Sequence, residues 1–184
     1  TMISDRYYYN DFPIAQQVIY KKMYDAIIRQ DEYIICGERD YRKEDFQKIL
    51  NAVIIDNPDL YFAKNTFSVE RTSWGLIKIY PQYYFEKKDK AQIVSELEKN
   101  VYRLFDSVDI GNKDQEEIIK SLHDYLILKN HPEIRDDELE KCAIVETLLE
   151  NKLTAQGAAY TYKYLLNSAG VQCNVICGSF HGIE

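Results

Sequence analysis

Four cysteines and three histidines are the residues of this 184-residue chain best suited to nucleophilic, acid–base or metal chemistry. The cysteines, Cys36, Cys142, Cys173 and Cys177, are scattered, and none stands in a C-x-x-C pair, which argues against a structural zinc site. Cys173 and Cys177 are four apart in a stretch with strand-like alternation. At roughly 3.3 Å per residue they would face one way about 13 Å apart, beyond disulfide reach. Cys177 alternates with apolar residues, and Cys142 sits in a helical pattern whose basic neighbour is Lys141, so the cysteines read as core thiols. His123 falls mid-helix beside Leu122, a packed or hydrogen-bonded position, and His131 precedes Pro132 in a loop. His181, flanked by Gly178 and Gly182, is the histidine that a flexible loop could bring to a site as a base. Asp136, Asp137, Glu138 and Glu140 open a helical pattern, where capping and the helix dipole account for them. No metal and no cofactor is assigned.

Composition narrows the function classes. Twenty-three Lys and Arg against 30 Asp and Glu leave an acidic chain, unsuited to sequence-independent nucleic-acid binding or to docking on an anionic membrane. An apolar share of 46% is enough for a buried core. Apolar runs stay short of membrane-spanning length; the one around Val53 to Ile55 is broken by Asp56 and Asn57. The amino terminus has no basic-plus-apolar leader, and Thr1 ahead of Met2 is expected of a processed chain or a piece of a longer one. The compartment stays open between the cytoplasm and a processed piece of a secreted or membrane-anchored bacterial protein.

The elements that must position these residues follow from periodicity. A helix is predicted from Asp11 to Arg29, with Asp11 as cap, Pro13 in the first turn, and Ile14, Val18, Met23 and Ile27 as its apolar stripe. Tyr33 to Cys36 reads as a strand closed by Gly37. A helix over 43–54 buries Phe46, Ile49, Leu50 and Val53, and Asp56-Asn57-Pro58-Asp59 breaks it. Thr66 to Arg71 and Leu76 to Tyr80 flank Thr72-Ser73-Trp74-Gly75 as a hairpin, with a short strand expected over 83–85. The run Glu86-Lys87-Lys88-Asp89-Lys90 reads as a solvated connection. Helices are then expected over 91–105, 114–129 and 136–149.

The last stretch is the most specific. Thr154 is an N-cap candidate, and Ala155-Gln156-Gly157 would form the first turn of a helix carrying Ala159, Tyr162, Leu166 and Ala169, with Leu165 beside them. Gly170 is placed to end it in the left-handed conformation. Val171, Cys173, Val175 and Cys177 then alternate as a half-buried strand up to Gly178.

Thr154-Ala155-Gln156-Gly157-Ala158-Ala159, followed by Tyr164-Leu165-Leu166, Ala169-Gly170 and Val175-Ile176-Cys177-Gly178, resembles the core pattern of the bacterial transglutaminase-like family, which has a papain-like cysteine-enzyme fold. In that pattern a Cys, one residue, a Gly and small residues open a helix, and a Leu-Leu pair, Ala-Gly and a strand ending in Gly follow. Leu122-His123-Asp124-Tyr125-Leu126 resembles the His-Asp-Tyr run of the preceding helix. Asp56-Asn57-Pro58-Asp59-Leu60-Tyr61-Phe62 resembles a run in the amino-terminal extension of such proteins.

The resemblance implies cysteine-dependent acyl transfer, giving amide hydrolysis or transamidation of a peptide or protein. A thiol on the first turn of a helix meets unpaired backbone N–H groups and the positive dipole end, which stabilise thiolate, and the same amides can hold an oxyanion. Ala155 stands at the nucleophile's position and has no sulfur, so the chain as it stands is expected to be inactive. That alanine reads as an inactivating replacement, as a natural pseudoenzyme that binds a peptide or partner, or as unrelated to the pattern. His181 follows Ala155 by 26 residues, closer than the family's base, whose segment and Asp would lie beyond Glu184. Gln156 and Gly157 are the expected substrate-binding positions.

The expected fold is α+β, with a transglutaminase-like (papain-like) core over 89–184, C-terminally incomplete, and an N-terminal α/β extension over 1–88. The strand over 171–178 would then need completion by a missing segment or by another copy in a homo-oligomer.

Overall fold

The computed structural model describes residues 6–37, 41–132 and 142–177. The fold is α+β. A short helix α1 (Tyr7–Asp11) leads into α2 (Ile14–Arg29), strand β1 (Ile34–Cys36), α3 (Lys43–Asp56), the hairpin β2 (Ala63–Arg71) and β3 (Ile77–Tyr83), and a long α4 (Lys87–Ser107). Then come α5 (Gln115–Lys129), β4 (His131–Pro132), α6 (Ala143–Leu149), β5 (Lys152–Leu153) and α7 (Ala155–Ser168).

The first three strands form an antiparallel sheet in the order β1-β3-β2. Period-two alternation sends Ile34, Cys36, Phe67, Ile77 and Ile79 into the core. Ile34 pairs with Ile79, and Val69 pairs with Ile79 from the other side. The hairpin turns where expected, and Gly75 has φ 77°, a conformation glycine adopts without strain. The extra strand over 83–85 is absent: Tyr83 closes β3, and the Tyr84 amide donates to the Phe62 carbonyl at 3.0 Å, prolonging the hairpin instead.

Helices α2 and α3 supply the rest of this first core, with Tyr20, Met23, Ile27, Phe46, Ile49 and Val53 almost fully buried. The expected cap and stripe of the first helix are corrected here. Asp11 ends α1, Pro13 is the N-cap of α2, and Ile14 and Val18 are exposed. The buried face is centred on Met23, and at roughly 100° per residue Ile14 lies about 180° around the helix from it.

A second core gathers Leu97, Val101 and Leu104 of α4, Leu122 and Leu126 of α5, Leu148 of α6 and Leu165 of α7. Tyr61 and Phe85 pack against both cores. The charge run before α4 is not a free connection. Glu86 is the N-cap and Lys87 to Lys90 make the first turn, where Lys90 donates to the Ile28 carbonyl at 3.1 Å and lies 3.6 Å over the Phe62 ring. That cation on an aromatic face ties α4 to the first core. Of the helix expected over 136–149, the described part begins at Ala143, with Cys142 as N-cap.

Among the described residues no helix is long and apolar enough to cross a membrane.

Candidate functional site

Helix α7 begins at Ala155, as its local chemistry requires. The Thr154 hydroxyl accepts the Gly157 amide at 3.0 Å, satisfying one of the four N–H groups a helix start leaves unpaired. Gly157 is buried where α7 crosses α6. A Cβ there would stand 2.8 Å from Thr154 Oγ1, 3.3 Å from Thr147 Oγ1 and 3.5 Å from the Ala143 Cβ. Small size at 157 is therefore a packing requirement, and its amide is committed to the cap. Ala155 and Gln156 are exposed, and their amides have no intrahelical acceptor.

Gln156 lines a groove of about 320 Å³ between the start of α7, the start of α6 and the beginning of β2. Tyr160, one turn on, accepts a hydrogen bond from Gln156 Nε2 at 3.2 Å. The opposite wall is Lys64, Asn65 and Thr66 of β2, with Gln82 of β3 and Tyr84, and Tyr61 also lines the groove. Burial pushes the Tyr84 phenol up to about 12 and also raises Tyr61 and Tyr160, so these phenols stay neutral near pH 7. Among the described residues the lining contains hydrogen-bond donors and acceptors and the cation of Lys64, and no thiol, imidazole or carboxylate. Such a surface can bind a peptide's polar backbone and, among the described residues, offers no thiol to form a thioester.

The residues predicted from sequence separate accordingly. Gln156 lines the groove, Ala155 opens the helix beside it, and Gly157 supports both from below. His181 lies outside the described residues. His123 is exposed, 3.1 Å from Asp124 through Nδ1, with its ring edge-on to Tyr162 at 6.2 Å. Tyr162 is seven residues beyond Ala155, about 10 Å along the helix axis, which keeps that imidazole away from the helix start. Cys142 is buried next to the groove, donates to the Tyr61 carbonyl at 3.1 Å, and is pushed up to about 11 by burial, an inert thiol. Cys177 is exposed, contrary to the expected core position. Among the described residues no group of three or more His, Cys, Asp or Glu side chains is placed to hold a metal ion.

The stretch after Gly170, which has φ 81°, is not a strand. Its alternation survives only weakly, with Val171 buried and Cys173 and Val175 partly so. Tyr8 of α1 takes the place of a neighbouring strand. Its hydroxyl donates to the Val175 carbonyl at 3.2 Å and accepts the Cys177 amide at 3.1 Å.

Sequence reasoning missed a polar cluster on the far side of α7. The Asp56 carboxylate, at the end of α3, accepts the Tyr8 amide at 3.1 Å, the Tyr9 amide at 2.9 Å and the Tyr20 hydroxyl at 3.0 Å, capping α1 from outside that helix. Asn57 Nδ2 donates to the Tyr20 hydroxyl at 2.8 Å and to the Val53 carbonyl at 2.6 Å. Lys163, 3% exposed, donates to the Ile55 carbonyl at 2.8 Å. The available signal was Asp56-Asn57 directly after an apolar run, which also reads as a plain helix stop.

Comparison of the chain with protein-family models and with curated proteins gives no match.

Proposed function

We propose that the chain is a transglutaminase-like domain lacking its nucleophile, and that it serves as a peptide- or protein-binding module through the groove beside the start of α7. The family chemistry would be acyl transfer through a cysteine thioester; Ala155 removes the sulfur, so neither hydrolysis nor transamidation can begin. The observation that supports this reading is the position of Ala155. It is exposed on the first turn of a helix capped by Thr154, and the next residue, Gln156, lines the groove. A cysteine nucleophile gains its reactivity at such a helix start.

The test restores the thiol. In a Cys177→Ser background, Ala155→Cys is labelled with iodoacetamide across pH. The reading expects the new thiol to titrate at least about one pH unit below an ordinary cysteine, near 8.5. A thiol that titrates like a free cysteine would sink the assignment of position 155. The unaltered chain is expected to leave glutamine-containing peptides intact in ammonia-release and amine-incorporation assays.

A further inference from the structure

A cavity of about 690 Å³ lies at the opposite end of α7 from the groove, bounded by Arg6, the turn after α3 and residues 170–174. Among the described residues two cations line it, Arg6 at 7% and Lys163 at 3% exposure. Neither forms an ion pair with a carboxylate among the described residues. The Arg6 guanidinium lies 4.1 Å over the Tyr24 ring, and its buried Nη1 has no hydrogen-bond partner there. Lys163 commits one of its three N–H donors, to Ile55. Asp56, the buried carboxylate of the lining, already accepts from Tyr8, Tyr9 and Tyr20, while Asp59 is exposed. Asn57 Oδ1 is likewise buried and unpartnered.

Buried cations in excess of the buried carboxylate near them and buried polar atoms without a partner are both costly, so their convergence on one cavity marks a place suited to a ligand. We propose that this cavity binds a small monoanionic carboxylate bearing an N–H donor, with Arg6 and Lys163 receiving the carboxylate and Asn57 Oδ1 receiving the donor. The charge balance selects the anion. Among the described residues the buried groups are two cations, Arg6 and Lys163, against one carboxylate, Asp56, while Asp59 is exposed and screened by water. One carboxylate therefore neutralises the site, and a phosphate dianion would leave it in negative excess. The volume suits a small-molecule ligand. Burial lowers the Lys163 pKa while Asp56 acts against that shift, and an anion beside the ammonium would further favour its charged form. This site is separate from the groove and does not depend on the reading of position 155.

N-Acetylglycine carries the required carboxylate and N–H, and N-acetylglycinamide lacks the charge. Calorimetric titration of the intact chain should give one site for N-acetylglycine with a dissociation constant of about 10 mM or below, and binding at least about tenfold weaker for the amide and for inorganic phosphate. Arg6→Gln and Lys163→Met should each weaken N-acetylglycine about tenfold or more. Because Lys163→Met could fail to fold, amide chemical-shift changes are also followed in the unaltered chain. They should centre on Lys163 and on 171–174 and spare Gln156. Absence of binding, equal binding of the amide, tighter binding of phosphate, or shifts centred on the groove would each overturn the proposal.

Discussion

The Tyr8 hydroxyl bridges Val175 and Cys177, donating to the carbonyl of one and accepting the amide of the other, across 169 positions of sequence in the longer of the two contacts. One phenol thus supplies both partners that a sheet neighbour would offer to this extended stretch. Tyr8 is itself held by Asp56, which accepts its amide, so the segment after α7 hangs from the end of α3 through α1.

Tyr8→Phe keeps the ring and removes both bonds. A net hydrogen bond contributes about 1 kcal/mol, so the variant should lose about 1–2 kcal/mol of stability. The loss should be local. Hydrogen exchange at the Cys177 amide should rise toward that of an open chain while α3 and the sheet keep their protection. Unchanged exchange at Cys177 would show that another group holds the segment.

Gly157→Ala places a methyl 2.8 Å from Thr154 Oγ1 and 3.3 Å from Thr147 Oγ1. The Thr154 hydroxyl cannot retreat without giving up its bond to the 157 amide, so either α7 shifts on α6 or the cap breaks. Overpacking and cap loss each cost about 1–2 kcal/mol. Urea denaturation should show a fall of that size, against about 1 kcal/mol for Thr154→Ala, which loses the cap alone. A Gly157→Ala variant as stable as the parent would contradict the close α6–α7 contact.

Local chemistry made part of this legible in the sequence. Thr154 as cap, Gly170 as the left-handed stop, the hairpin around Gly75 and the stripe of Phe46, Ile49, Leu50 and Val53 are all decided within a few residues, and the structure has each of them. What failed depends on distant partners. Helix α7 is packed by α5, α6 and the turn at 58–60, so besides the expected Leu165 and Leu166 it buries Thr161 and Lys163, while Ala159 is exposed and Tyr162 and Ala169 are half-buried. The alternation over 171–177 names a half-buried segment but cannot say whether a strand or Tyr8 satisfies its backbone. Asp56 and Arg6 come to line one cavity only through the fold, and periodicity has no access to that.

The four cysteines should separate by burial when the folded chain meets a thiol reagent at pH 8. Cys177 is exposed and should react first; Cys173 is half-buried, and burial raises its pKa, so it follows more slowly. Cys36 and Cys142 are buried, and Cys142 is pushed up to about 11, so both should wait for unfolding. Single Cys→Ser variants assign each phase. A fast phase that survives Cys177→Ser and vanishes with Cys142→Ser would contradict the packing of α6 on Tyr61.

Alkaline pH should unfold the protein through its tyrosines. Burial pushes Tyr83 and Tyr84 up to about 12 from 10.0, and raises Tyr20 and Tyr61 as well. Each raised group gives stability that is fully present below the unfolded value of 10.0 and is lost as pH climbs through the folded value. Lys163 and Lys90 act in the opposite sense, because burial lowers both, and they add stability as pH rises toward 10.5. Above 10.5 the lysine contributions are complete and the tyrosines set the slope. Urea midpoints should therefore fall between pH 10.5 and 12, with phenolate absorbance rising cooperatively at the unfolding transition. Where it folds, Tyr84→Phe should flatten that fall, since its half-buried ring keeps its packing without an ionisable group. Phenolate absorbance rising smoothly before any loss of helix signal would mean that these phenols reach water in the folded chain.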